Sequence, residues 1–192
     1  HQSTTMLLRL IIERTAATAD GGVSTPPTSL LDYGCGSGVL AISYLSCSNS
    51  IPNNSSALLA STNATAFATD VSPSSLACAA RNGRLNDVDG GMTVCPPYEL
   101  SRSLRVDLAV ANMLPGPLIS ESAEIALRVR TGGELLMTGF RQQDAAAVRE
   151  AFTPYFEIAH DPALEDDGWL SLSAVRNQLE VQTSGRSEDA VG

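Results

Sequence analysis

A chain of 192 residues, 43% of them hydrophobic, fits one globular domain with a sizeable core. Its apolar runs are strand-length and fall far short of the roughly 20 residues that a membrane helix needs, so no membrane partner is expected. The net charge is −9 and all twelve basic residues are arginine, which leaves no broad cationic face for phosphate backbones; no direct nucleic-acid contact is expected, and an acidic surface suits a basic protein partner or plain solubility.

From the start, residues 3–15 place Met6, Leu7, Leu10 and Ile11 at helical spacing, with Ser3 or Thr4 available as a cap. A Gly/Pro/Thr linker over residues 20–28 leads into the strand-like run Ser29-Leu30-Leu31-Asp32-Tyr33, which ends in glycines, and residues 38–45 then read as a helix. Residues 46–63 are rich in Ser and Asn, with Pro52 among them, and predict a surface insertion; the N-x-S/T matches at Asn53, Asn54 and Asn63 read as accidents of composition. Alternation resumes with a strand at 65–70, a helix at 73–84, strands at 92–95 and 106–111, a helix at 115–128, a strand at 133–138 and a helix at 142–152. Such β/α alternation implies a parallel sheet with helices on both faces. Two closing strands, 156–160 and 169–174, are joined by a short acidic loop that suits an antiparallel pair. The expected domain covers residues 1–176, followed by a polar, disordered tail over 177–192. The chain opens at His1 with neither an initiator methionine nor a signal peptide, and is expected to belong to something longer.

The four cysteines, Cys35, Cys47, Cys78 and Cys95, form no C-x-x-C pair, and with only His1 and His160 beside them no metal site is expected. They read as reduced thiols of an intracellular protein, cytoplasmic or organellar. Cys35 near a helix start has the setting for a lowered pKa, yet no histidine partners it, and a small packed residue is the competing reading. No Ser-His-Asp arrangement, P-loop or paired carboxylate appears.

In a doubly wound sheet the ligand lies at the carboxyl ends of the strands, where glycines let the backbone approach it. Gly34, Gly36 and Gly38 occupy that place. The dinucleotide fingerprint wants a further glycine where Val39 stands, and Asp32 sits two residues before the first glycine. A pyrophosphate wants helix-terminus amides and no anion, whereas the methionine end of S-adenosylmethionine carries an ammonium that a carboxylate can hold. The D-x-G-x-G-x-G turn therefore points to S-adenosylmethionine. Asp70, ending the next strand, can accept from both ribose hydroxyls, or alternatively cap a helix. Asn112, ending the fourth, can accept an amine hydrogen and turn its lone pair toward the methyl group, or alternatively fill a turn before Pro115.

Together several segments resemble the PrmA family of bacterial-type ribosomal protein methyltransferases, which modify large-subunit ribosomal protein eleven. They are His1-Gln2-Ser3-Thr4, Leu31-Asp32-Tyr33-Gly34-Cys35-Gly36-Ser37-Gly38-Val39-Leu40-Ala41-Ile42, Val110-Ala111-Asn112-Met113-Leu114-Pro115-Gly116-Pro117-Leu118, Gly132-Gly133-Glu134-Leu135-Leu136-Met137-Thr138-Gly139-Phe140, and Trp169. The opening is similar to the family's His-x-Thr-Thr motif, which implies that Thr4 lies at the cofactor. The resemblance implies a Rossmann-like, doubly wound α/β sheet of seven strands, mostly parallel with an antiparallel C-terminal strand. It also implies methyl transfer from S-adenosylmethionine to a protein amino group, and it adds Thr4 to the residues already read as binding the cofactor, Asp32, Gly34, Gly36, Gly38, Asp70 and Asn112, of which Asn112 is the catalytic candidate. The family places a substrate-recognition domain ahead of the catalytic one, and that domain is expected to be missing here. Other readings left by the residues are a methyltransferase for another protein or a small molecule, and a non-catalytic S-adenosylmethionine-binding module.

Overall fold

A computed structural model describes residues 2–16, 25–49, 64–159, 165–166 and 168–178; the side chains of 165–166 are not among what it describes. His1, His160, most of the Ser/Asn insertion and nearly all of the polar tail lie outside the described residues.

Among the described residues eight strands form one sheet in the order β3-β2-β1-β4-β5-β8-β6, with the two-residue β7 paired to β8. The strands are β1 Ser29–Tyr33, β2 Thr65–Thr69, β3 Met92–Cys95, β4 Val106–Asn112, β5 Val129–Arg141, β6 Phe156–Ile158, β7 Glu165–Asp166 and β8 Trp169–Arg176. Pairings among β1 to β5 are parallel, and β8 runs antiparallel to both β5 and β6. The seven strands of the main path thus match the expected sheet, and β8 is its reversed strand.

Successive side chains of a strand face opposite sides, and here both sides are buried. Leu31, Tyr33, Ala109 and Ala111 join one core with Leu118, Ile125, Val148 and Phe152 of the later helices. Leu30, Leu108 and Val110 join the other with Leu7, Ile11, Leu40 and Tyr44. The helices are α1 Gln2–Thr15, α2 Val39–Asn49, α3 Pro73–Leu85, α4 Pro115–Ser120, α5 Ser122–Arg128 and α6 Ala145–Phe152.

Several boundaries differ from the sequence reading, each for a local reason. Helix α1 begins at Gln2, so Ser3 and Thr4 lie inside its first turn and do not cap it. Helix α2 runs on to Asn49, so residues 46–49 belong to a helix and not to the insertion; Ile42 and Leu45 are buried just before them and carry the helix onward. The helix expected over 115–128 turns at Glu121, where ψ is 3°, and there its carboxylate accepts the Tyr33 hydroxyl at 2.7 Å. The helix expected from 142 opens as a 3-10 turn over Gln142–Asp144, in which Asp144 accepts from the Arg141 amide at 3.2 Å.

Candidate active site

Strand β1 is flanked by β2 on one side and β4 on the other, which makes its carboxyl end the point where strand order reverses and a crevice opens. The chain leaves β1 there through Gly34, Gly36 and Gly38, with φ of 77°, 52° and 78°. Left-handed backbone of this kind is cheap only for glycine. The amides of Gly34 and Cys35 both donate to the Thr69 carbonyl, at 2.8 and 2.9 Å, and the Gly36 amide donates to Asp70 Oδ2 at 3.0 Å. The end of β2 therefore anchors the first half of the turn. Space is also closed: a Cβ on Gly34 would stand 2.9 Å from Met113 Cγ, and one on Gly38 would stand 3.0 Å from the Ala79 Cβ.

Asp32 is 1% exposed. Its Oδ2 accepts the Ala41 amide at 3.2 Å, while Oδ1 is buried with no partner. Burial pushes its pKa up to about 7; the Ala41 hydrogen bond opposes this and the nearby Asp70 charge adds to it. Neither Asp32 nor Asp70 belongs to an ion pair among the described residues. A buried, unpartnered polar group costs about 1–3 kcal/mol, and more when charged. Two neighbouring carboxylates that pair with no cation among the described residues, one holding a bare oxygen, form a place that a positively charged ligand relieves.

Asp70 binds both neighbours: Oδ1 accepts the Ser72 amide at 2.8 Å and Oδ2 the Gly36 amide. Ser72, whose hydroxyl accepts the Ser75 amide, is the N-cap of α3, so Asp70 does not cap that helix. Each carboxylate oxygen keeps a further lone pair for a ligand hydroxyl. Cys35 is buried, and its thiol is pushed up by burial and then by the charges of Asp32 and Asp70. The helix-start effect expected from sequence is outweighed, and Cys35 is a packed, inert thiol.

Asn112 closes β4 at the same edge of the sheet. Its Nδ2 donates to Thr4 Oγ1 at 3.0 Å, which fixes the amide and leaves Oδ1 as the acceptor. Behind it the Met113 amide donates to the Thr138 carbonyl at 3.1 Å. Gly139, at φ 98°, lies so near that a Cβ would fall 2.2 Å from the Met113 carbonyl oxygen. Between Thr138 and Phe140 the pairing of β5 with β8 shifts register, so Gly139 is a bulge that lets the chain after Asn112 pass closely over β5.

The family model for ribosomal protein L11 methyltransferase (PrmA) matches residues 1–177. The chain belongs to the ribosomal protein L11 methyltransferase family. It is 36% identical over 148 residues to a ribosomal protein L11 methyltransferase of Pseudomonas paraeruginosa, covering 77% of this chain and 45% of that relative. It is likewise 36% identical over 149 residues to that of Azotobacter vinelandii, with 77% and 45% covered. The chain thus spans about half the length of these relatives. Among solved structures it is similar to a ribosomal protein L11 methylase from Lactobacillus delbrueckii subsp. bulgaricus, at 23% identity and a TM-score of 0.67, covering 93% of this chain and 80% of that one. It also resembles TrmN from Thermus thermophilus, at 19% identity and a TM-score of 0.62, covering 91% and 48%. At such identities these likenesses bear on the fold alone.

The candidate residues come together at one edge of the sheet. The three glycines, Asp32 and Asp70 surround the turn; Asn112 and Thr4 meet by a hydrogen bond; and Met113 packs against Gly34, joining the two groups. His1 of the opening motif lies outside the described residues. Thr69 and the bulge at Gly139 do structural work in this site that sequence reading did not single out. Thr69 acts through its carbonyl, which leaves no side-chain signal, whereas Gly139 stood inside the family segment and was open to notice. Among the described residues no helix is long and apolar enough to cross a membrane, and no three His, Cys, Asp or Glu gather as a metal site.

Proposed function

We propose that residues 1–176 form the catalytic domain of an intracellular methyltransferase that uses S-adenosylmethionine and methylates amino groups of a ribosomal protein. The observation that carries this reading is the pairing of two features at one sheet edge: a cation-seeking carboxylate site around the glycine turn, and an asparagine amide whose carbonyl is held free. S-adenosylmethionine supplies an activated methyl group on a sulfonium. Asp32, its carboxylate buried beneath the turn, would favour the cofactor's ammonium by charge, Asp70 would accept its ribose hydroxyls, and Gly34, Gly36 and Gly38 would let backbone lie against it. Thr4 orients Asn112, whose Oδ1 accepts a hydrogen of the incoming amine and turns the nitrogen lone pair toward the methyl carbon.

Alignment of nucleophile, carbon and sulfur is most of what such a displacement needs. A lysine amine, with an ordinary pKa of roughly 10.4, arrives protonated and must first give its proton to solvent. Removal from water at the crevice lowers that cost by disfavouring the ammonium. The acidic chain suits a basic acceptor, since the net charge is −9. Incubation with methyl-labelled S-adenosylmethionine and ribosomal proteins tests the reading: label is expected on amino groups of one large-subunit protein. Label found only in RNA or small molecules overturns the acceptor assignment, and cofactor binding without any transfer favours a non-catalytic module.

A further inference from the structure

The glycine turn has two halves, and β2 holds only the first. Thr69 and Asp70 take the amides of Gly34, Cys35 and Gly36, whereas Ser37 lies exposed between two glycines in left-handed conformation. The Gly38 amide closes this half onto the Cys35 carbonyl at 2.8 Å, so what is left to fix is the Ser37 peptide, and a ligand that needs it in one orientation loses affinity when that orientation must be ordered.

Helix α3 reaches this second half. Asn82 Nδ2 donates to the Ser37 carbonyl oxygen at 3.0 Å, and lies 3.5 Å from Cys78 Sγ on its own helix. The approach is possible because α3 presents small residues here: Ala79 is buried against Gly38, where a Cβ would meet it at 3.0 Å. At its start α3 is tied to Asp70, whose Oδ1 accepts the Ser72 amide. One helix is thus joined to the carboxylate at the end of β2 and to the far side of the glycine turn.

We propose that Asn82 is a positioning residue, which holds Ser37 and Gly38 in the shape that receives the cofactor and acts through the Ser37 carbonyl without touching the ligand. The inference rests on the reading that this turn binds S-adenosylmethionine. Asn82→Asp keeps size and shape but sets a carboxylate oxygen against the carbonyl; Asn82→Ala removes the donor; Asn82→Gln keeps a donor on a longer arm. Asn86, one turn further on, donates to the Asn82 backbone carbonyl at 2.8 Å and serves as the control on the same helix.

Titration calorimetry with S-adenosylhomocysteine, beside the thermal midpoint without ligand, separates the roles. Asn82→Asp and Asn82→Ala are expected to weaken binding by about tenfold, the scale of one net hydrogen bond. Asn82→Gln is expected to recover part of that loss, and Asn86→Ala to bind like the parent whatever its midpoint. The two failures are distinguishable: a parent chain that does not bind removes the cofactor reading and this inference with it. A parent that binds, with both the Asp and Ala variants within twofold of it, overturns the role of Asn82 alone. Loss of affinity in Asn86→Ala as large as in Asn82→Ala also overturns it, because helix integrity would then explain both.

Discussion

Asp32 is buried at a cost to the free protein, and the cost has a sign that experiment can read. Its folded pKa of about 7 exceeds the ordinary 3.8, so between those values the folded state binds the extra proton and stability falls as pH rises, levelling above 7. Asp32→Asn is therefore expected to raise the thermal midpoint of the ligand-free chain at pH 8, relative to the parent, and to weaken S-adenosylhomocysteine binding at least tenfold. An ammonium near Asp32 favours the carboxylate, so ligand binding to the parent should release protons and strengthen from pH 6 to pH 8. Calorimetry in buffers of different ionisation enthalpy measures this, and proton uptake would contradict it. At Asn112 the expected loss is kinetic: Asn112→Ala should lower the rate by about a hundredfold, the scale of a misplaced reacting group. Thr4→Val, which removes the partner of Nδ2 without changing shape, should lower it by less. Both variants are read by single-turnover transfer at saturating cofactor.

At the scale of elements, the site depends on two backbone devices, the glycine turn after β1 and the bulge at Gly139. Gly139→Ala places a methyl where the Met113 carbonyl already lies and forces a left-handed residue to carry a side chain. Backbone strain alone costs on the order of 1–3 kcal/mol, so a loss of at least about 2 kcal/mol is expected in urea unfolding. The turn was legible from sequence because its glycines are the chemistry: no other residue accepts those φ values so readily, and Asp32 and Val39 separated this fingerprint from the dinucleotide one. Strand β1 and strand β3 were legible to the residue, since turn-forming residues bound both. The last turn of α2 was hidden because Ser46, Cys47, Ser48 and Asn49 look like loop by composition, while the buried residues before them continue the helix. Thr69, Gly139 and Asn82 act through carbonyls, absent side chains or a contact across 45 residues of sequence, none of which a local pattern displays.

For the whole molecule, the end of the sheet opposite the site is held by Asp107 at the start of β4. Its Oδ2 accepts the amides and hydroxyls of Thr28 and Ser29 ahead of and within β1, and Oδ1 accepts Arg130 Nε of β5 at 2.6 Å. Burial pushes the Asp107 carboxyl up, but these hydrogen bonds, led by Arg130, outweigh it and hold the pKa at about 2. The stabilisation is thus complete above the ordinary 3.8 and is lost as pH falls toward 2. Asp107→Asn should lower the midpoint at pH 7 by only about 2–4 °C, because solvent screens the exposed Arg130 partner, and the gap should close in acid. Fold class was readable from β/α alternation, and the reversed β8 from the short connection before it, because chain geometry leaves few other arrangements. S-adenosylmethionine is proposed to bind at the carboxyl ends of β1, β2 and β4. Titration of the isotopically labelled chain with S-adenosylhomocysteine, followed by amide NMR, tests that binding most directly. One saturable site is predicted, with the largest shifts at Gly34, Gly36, Ser37, Gly38, Val71 and Met113. Shifts gathered elsewhere, or no saturable binding, would contradict it.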